Sequence, residues 1–547
     1  MIRRRLTLSK NFNVLFSIML IFAVLLTGNM KGSIVYGSIG IHDKYEIMVE
    51  DMPDHLNFST YFGGSNEEYR KNSEDLGISG VAVDSNDNII VVGRTSSTDF
   101  PTSNAYQETF GGGLFDAFIY KLSSDGQSVI FSTFFGGSGQ EWATDVAVCE
   151  NGDIVIIGST ASTDLPIMNA YQSSNKGGVY YSLDIFIAKF NSLGDLLFSS
   201  YFGGTGDDWG YSIDCDSSNR FVITGSTYSA DLPIKDAFQS STISGSVDCY
   251  VTMFASNGQS LIFSTFIGST GNDGGASVKF DGNGDIVLTG LASASNFPTQ
   301  NAFDSSYNGG AWDSFLSKFH PNGTLVFSTF YGGTEADRGY DIAFDSSNNI
   351  ILVGSTTSYT LSSSENAIQE SFGGIQDGYI IKLSEDGQIM LYKSFFGGSG
   401  KDEAFSVVTD SEDNIIVGGF TESNDIATKN AFQSSTNGGA NEAFIFKLNA
   451  TYELLYATFL GGSGSDLGSA VAITSEGNII LTGSTTSENF PVLNSYQSTK
   501  DIGYDSFVIK FNTVLVLPTN EGNVQFVYFF IAIAFLSAVK LVLRRKN

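Results

Sequence analysis

Histidine, cysteine, tryptophan and proline are scarce in this 547-residue chain, with three His, three Cys, three Trp and eight Pro. His42 and His55 stand near the N-terminus and His320 stands alone in the body. A Ser-His-Asp site, a Cys-His site or a histidine-based metal site therefore lacks members. Three cysteines, Cys149, Cys215 and Cys249, make an odd count whose spacing matches no metal motif. Free buried or half-buried thiols are the expectation, and a Cys149–Cys215 bridge between neighbouring repeats is the alternative. Positive charge is also scarce. Arg3, Arg4, Arg5, Lys10, Lys540, Arg544, Arg545 and Lys546 sit at the two ends, which leaves 20 basic residues against 58 acidic between them. Such a surface repels phosphate backbones, so no nucleic-acid partner is expected.

What the chain has in abundance is glycine, 61 residues, and a stretch that it repeats. Val81–Gly93, VAVDSNDNIIVVG, returns from Val146, Ile213, Val278, Ile342, Val407 and Val471. Each copy is two apolar runs joined by an Asp/Asn/Gly/Ser turn, which is hairpin chemistry. Three further elements accompany each copy. The first is a segment of the form Asp99-Phe-Pro followed by Asn104-Ala-Tyr-Gln. The second is a strand like Asp116–Lys121, and the third is a Phe-Ser-Thr-Phe-Phe-Gly-Gly strand. The unit is thus four strands, A to D, with B apolar almost throughout and hence buried on both faces.

The chain enters its repeat region on a D strand, Phe58–Phe62, and leaves it on a C strand, Asp505–Phe511. Seven complete units result only if the first strand completes the last sheet. The expected fold is therefore all-β, a seven-bladed β-propeller of four-stranded antiparallel blades over residues 56–512, closed by its N-terminal strand. The motifs F-S-T-Y-F-G-G, V-A-V-D-S-x-x-N-I-I-V-x-G, F-P-T-x-N-A-Y-Q and D-A-F-I-x-K-L resemble the bacterial and archaeal seven-bladed β-propeller repeat family. That resemblance implies a propeller typical of secreted or cell-surface proteins, and it implies no catalytic residues. The first unit departs from the pattern by about eight extra residues, Tyr69–Leu76, expected to loop out.

The two ends predict a location. Basic residues followed by the short apolar run Val14–Leu26 read as a secretory signal within residues 1–37, ahead of an N-terminal segment, 38–55. Val524–Leu543 is long enough to cross a bilayer as a helix, with basic residues 544–547 behind it as a cytoplasmic tail. Residues 513–523 would be the tether. The expectation is a single-pass cell-surface protein with the propeller outside.

Two acidic columns repeat in every unit. One is Glu68, Glu141, Asp208, Asp273, Asp337, Asp402 and Asp466; the other is Asp116, Asp184, Asp248, Asp313, Asp377, Glu442 and Asp505. A residue repeated in every blade points to fastening, with carboxylates accepting backbone N–H groups. Ca²⁺ on Glu68, Asp273, Asp337, Asp402 and Asp466 is the alternative, and otherwise no cofactor is expected. The lysine column, Lys121, Lys189, Lys318, Lys382, Lys447 and Lys510, reads as a solvated face or as blade-to-blade pairing.

Function is sought where the repeat varies. Tyr69, Trp142 and Trp209 follow the first acid in consecutive units, and Trp312 precedes a second acid. With Glu141 and Asp208 they form the expected ligand-binding set, since aromatic rings beside acceptors suit a glycan or a protein partner. An adhesion-type binding protein and no enzyme is expected, with a carboxylate-dependent glycan-processing enzyme or a passive envelope protein as alternatives. Asn57, Asn322 and Asn449 head glycosylation sequons.

Overall fold

The computed structural model describes residues 56–68, 80–178, 181–242 and 247–512, together with three short strands near the N-terminus. Those three, Arg3–Ser9, Ile34–Gly37 and Lys44–Glu50, form an antiparallel sheet with the last in the middle. The apolar run Val14–Leu26, the insertion Tyr69–Leu76 and the segment Val524–Leu543 lie outside the described residues. Among the described residues no helix is long and apolar enough to cross a membrane.

Seven four-stranded antiparallel sheets make the ring. In blade 2 the strands are A (Glu141–Val148), B (Ile154–Thr160), C (Asp184–Phe190) and D (Leu196–Phe202). The A strands of blades 1 and 3 to 7 are Val81–Val83, Asp208–Cys215, Gly274–Phe280, Asp337–Phe344, Asp402–Thr409 and Asp466–Ile473. Closure follows the expected route. Blade 7 consists of Asp466–Ile473, Ile479–Thr485 and Asp505–Phe511, with Leu56–Phe62 added at its outer edge. Ser506 pairs with Phe62 and Lys510 with Phe58, so the first strand of the ring seals the last sheet.

The A–B turns form because their tips tolerate the left-handed backbone. Asp87, Asn219, Asn348 and Asp413 have φ near 60°, and glycine takes that place in blades 2, 4 and 7. Strands B and C are buried along their whole length, as in Ile89–Thr95 and Asp116–Leu122, apart from half-buried Leu291 and Lys447. The core lies between blades: Ile90, Val92 and Ile119 of blade 1 pack on Ile154, Ile156 and Phe186 of blade 2. Phe58, Phe62 and Val508 of blade 7 meet Ile89 and Val91 of blade 1 in the same way.

The long B–C segment doubles back along the outer edge of strand D. Ser103 bridges Ser132, while Gln172 bridges Tyr201 and Gln433 bridges Phe459. An otherwise open sheet edge is thereby covered. The Asn of the Asn-Ala-aromatic-Gln motif turns the chain with positive φ, as at Asn104, Asn169 and Asn494. Its aromatic residue crosses to the next blade, where Tyr171 meets Phe254 edge-on at 5.8 Å between ring centroids.

Candidate functional site

Each blade junction is fastened at both ends. At the end where the A strands begin, both acidic columns are buried and converge on the first glycine of the Phe-Gly-Gly motif. A Cβ on Gly136 would lie 2.6 Å from Glu141 Oε2 and 2.8 Å from Asp116 Cγ, which is why glycine stands there. The first acid receives the N–H of the second glycine, such as Gly137 N to Glu141 Oε2 at 2.9 Å, and a threonine hydroxyl closing strand B. Asp208, Asp337, Asp402 and Asp466 take Thr227, Thr356, Thr421 and Thr485 in the same manner. The motif glutamine serves the second acid: Gln107 donates to Asp116 Oδ2 and accepts the Gly136 N–H. Burial pushes both columns above the ordinary carboxylate range, and at Asp116, Asp184, Asp313 and Glu442 the facing acid adds to it.

At the opposite end the lysine column is buried, with Lys447 half-buried, which corrects the solvated-face reading. Lys121, Lys318, Lys382 and Lys447 each hold the first Asp of their own A–B turn at 2.7–2.8 Å. The ammonium also reaches across the junction, Lys121 to Ser192 O and Lys189 to Ser256 O. Blade 3 carries Met253 instead, and Arg220 binds its Asp216 in compensation. Cys149, the residue after the A strand of blade 2, and Cys215, the last of the A strand of blade 3, are joined as a disulfide, with 5.2 Å between Cα atoms. The free-thiol reading is thus corrected for these two, because neighbouring innermost strands approach closely near the axis. Cys249 alone keeps a buried thiol.

The wall of the central channel is where the symmetry lapses. Each A strand beyond the first carries a β-bulge opposite a B-strand position, and the bulged residues Thr144, Tyr211, Ala276, Tyr340, Phe405 and Ser469 all line the channel. Among the described residues that line the same channel, four are charged, one from each of four blades: Asp145, Asp214, Lys279 and Asp341. The cavity they share is about 280 Å³. Lys279 Nζ lies 3.0 Å from Asp341 Oδ1. Asp145 and Asp214 receive neutral donors from the next blade, Ile213 N at 3.0 Å and Phe280 N at 2.8 Å. Burial pushes both carboxyl groups up to about 6, against hydrogen bonds and the Lys279 charge, which pull down. The sequence signal was present as two columns in which Gly, Ser, Ala and Val alternate with Asp and Lys; the bulge that turns those columns inward was not foreseen.

The expected aromatic set is brought together only in part. Trp142 and Trp209 occupy the same register at the start of adjacent A strands, both half-buried, with Trp209 5.5 Å from the Tyr228 ring. Their neighbours Glu141 and Asp208 are fully buried, so these carboxyl groups act on the junction and not on a docked ligand. Trp312 lies apart, with the Arg338 guanidinium stacked 4.6 Å over its ring. Tyr69 lies outside the described residues. Of the sequon residues, Asn322 is exposed, Asn449 braces its own turn through Thr451 and Glu453, and Asn57 donates to Asn512.

These features define a seven-bladed, four-strand-per-blade β-propeller. No protein-family model matches the chain. It is similar to an uncharacterized WD repeat-containing protein of Acanthamoeba polyphaga mimivirus, 23% identical over 543 residues, covering 80% of this chain and 38% of that one. The chain spans about a third of the length of the curated relatives it matches. Among solved structures, a gluconolactonase from Xanthomonas campestris aligns with TM-score 0.32 and 8% identity over 82% of this chain and 98% of its own. A quinohemoprotein alcohol dehydrogenase from Comamonas testosteroni aligns with TM-score 0.37 and 7% identity over 85% and 78%. The expectation that the chain is no enzyme is corrected: enzymes stand among the solved structures it aligns with. At such identities the likeness shows the fold alone and establishes no activity.

Proposed function

We propose that the ring is an adhesion-type binding module of the seven-bladed repeat family, carried outside the cell on the C-terminal apolar segment. Its partner is an extracellular protein or glycan that docks where the A strands begin. One observation carries this reading. In the register after the first acid the blades differ, with Trp142, Trp209, Gly274, Arg338, Glu403 and Leu467, while the registers on either side repeat. Two half-buried tryptophans at the start of A strands in adjacent blades offer flat apolar area, which suits sugar faces and protein side chains.

The test is a glycan and surface-protein binding screen of the full chain beside its Trp142→Ala/Trp209→Ala variant. A hit weakened at least about tenfold in the variant supports the reading. Equal binding by both proteins refutes the face, and a chain that fractionates without membrane refutes the anchor.

A further inference from the structure

Among the described residues the second acid at all seven junctions keeps one oxygen without a donor: Asp116, Asp184, Asp248, Asp313, Asp377 and Asp505 through Oδ1, and Glu442 through Oε2. Every one of these side chains is at most 2% exposed. The other oxygen is well served, for instance by Gly111 N at 2.7 Å on Asp116 and Asn308 N at 2.6 Å on Asp313. The orphaned oxygen faces the first acid across the glycine. A Cβ on Gly397 would lie 3.0 Å from Asp377 Oδ1 and 2.8 Å from Asp402 Oδ2, and one on Gly332 would lie 2.6 Å from Asp313 Oδ1 and 2.9 Å from Asp337 Oδ2. A buried acceptor repeated seven times without a partner asks for a donor.

We propose that each junction binds one proton, held between its two carboxyl groups as a carboxylic acid–carboxylate pair. The ring then carries seven protons that a formal count of its charge omits. One proton supplies the missing O–H and removes one of two like charges buried side by side. A calcium ion fits poorly, because it needs six to eight oxygens at about 2.3–2.6 Å. The groups around each pair are instead donors: Gly137 N, Thr160 Oγ1, Gly111 N and Gln107 Nε2 serve three of the four carboxylate oxygens of Glu141 and Asp116 and leave one, too few for such a shell.

Charged neighbours grade the junctions. Lys176 beside Asp184 and Lys500 beside Asp505 favour loss of the proton. Asp231 near Asp208, Asp304 near Asp313, Glu335 near Asp337, Asp425 near Asp402 and Asp501 near Asp505 favour its retention. Burial and then the facing acid of the pair raise Asp116, Asp248 and Asp313 to about 7 and Glu68 to about 8. An acid raised on folding binds more protons folded than unfolded. Its contribution is therefore intact below its ordinary value near 4 and is lost as pH rises through about 7 to 8.

The test uses the full chain in chelator, by infrared spectroscopy and thermal melting from pH 5 to 9 (about the range over which the pairs titrate). The expected result is a carboxylic C=O band at pH 6 that disappears as pH passes about 8, with Tm falling over the same interval. Asp313→Asn, whose amide replaces the acid O–H, should remove about one-seventh of the band. Should that variant fail to fold, the size of the wild-type band decides, since Asp145 and Asp214, raised to about 6, supply at most two carboxyl groups and the pairs about seven. Absence of the band at pH 6, or a neutral-pH Tm raised by added calcium chloride, overturns the proposal.

Discussion

The two ends of each blade junction hold with opposite electrostatics. Where the A strands begin, like acids are buried in pairs; at the A–B turns, a buried lysine meets a buried aspartate. Both devices recur around the ring, so neither distinguishes one blade as a binding site. The difference appears with pH. Burial tends to raise Asp84, Asp345 and Asp410, yet the lysine ammonium and asparagine donors outweigh it and hold all three below the ordinary value. Their contribution is present above that value near 4 and is lost as pH falls through their still lower folded values. The acid pairs lose theirs as pH rises, so the ring is most stable between the two limits.

The sharpest way to break this comparison is to remove one group from each end of a single blade. Lys382→Met leaves Asp345, only 9% exposed, as an unpaired buried charge. The unfolding free energy should fall by about 3–5 kcal/mol. Asp377→Asn keeps the shape and supplies the donor that its pair lacks, so it should change stability by less than about 1 kcal/mol at neutral pH. Denaturant titrations of the two variants check this. Equal losses would mean that the ends do not differ as described.

Next in size is the disulfide, which adds a covalent tie to the A–B end of one junction only. Reducing Cys149–Cys215, which closes a loop of 66 residues, should lower stability by about 2–4 kcal/mol through the entropy of the unfolded chain. Melting with and without reductant measures it. Cys249 serves as the internal control, because burial raises its thiol far above the usual range and keeps it unreactive in the folded ring.

How far the sequence foretold these devices follows from what each depends on. The ring and its closure depend on counting strands, and the phase of Phe58–Phe62 against Asp505–Phe511 was enough. The pairing of the acid columns with glycine was legible as a seven-fold repeat, though not the glutamine that orients the second acid. Burial of the lysines was not legible, since a lysine at the end of strand C looks the same whether it meets solvent or the next blade. On sequence alone the bridge between Cys149 and Cys215 is no more than an alternative, because the two stand one register apart in their repeats. The channel site was missed for a related reason. A single bulged residue per A strand changes which columns point inward, and alternation alone assigns them to the blade faces.

The smallest effect is expected where the two regions should differ most, in the channel. Lys279 has the same partner type as Lys382, an aspartate at 3.0 Å, but its side chain is 31% exposed to the channel. Water screens that pair, so Lys279→Met should cost at most about 1 kcal/mol, well below the change at Lys382. Its effect should appear in titration instead. Lys279 pulls Asp145 and Asp214 downward from values that burial has pushed up to about 6. Without it both carboxyl groups should take up protons closer to neutrality, and stability should then decline more steeply as pH rises from about 5 to 7. Melting curves across that interval, variant against wild type, check both parts. A stability loss as large as that of Lys382→Met would place the channel charges among the fasteners and leave the ring without an asymmetric polar centre.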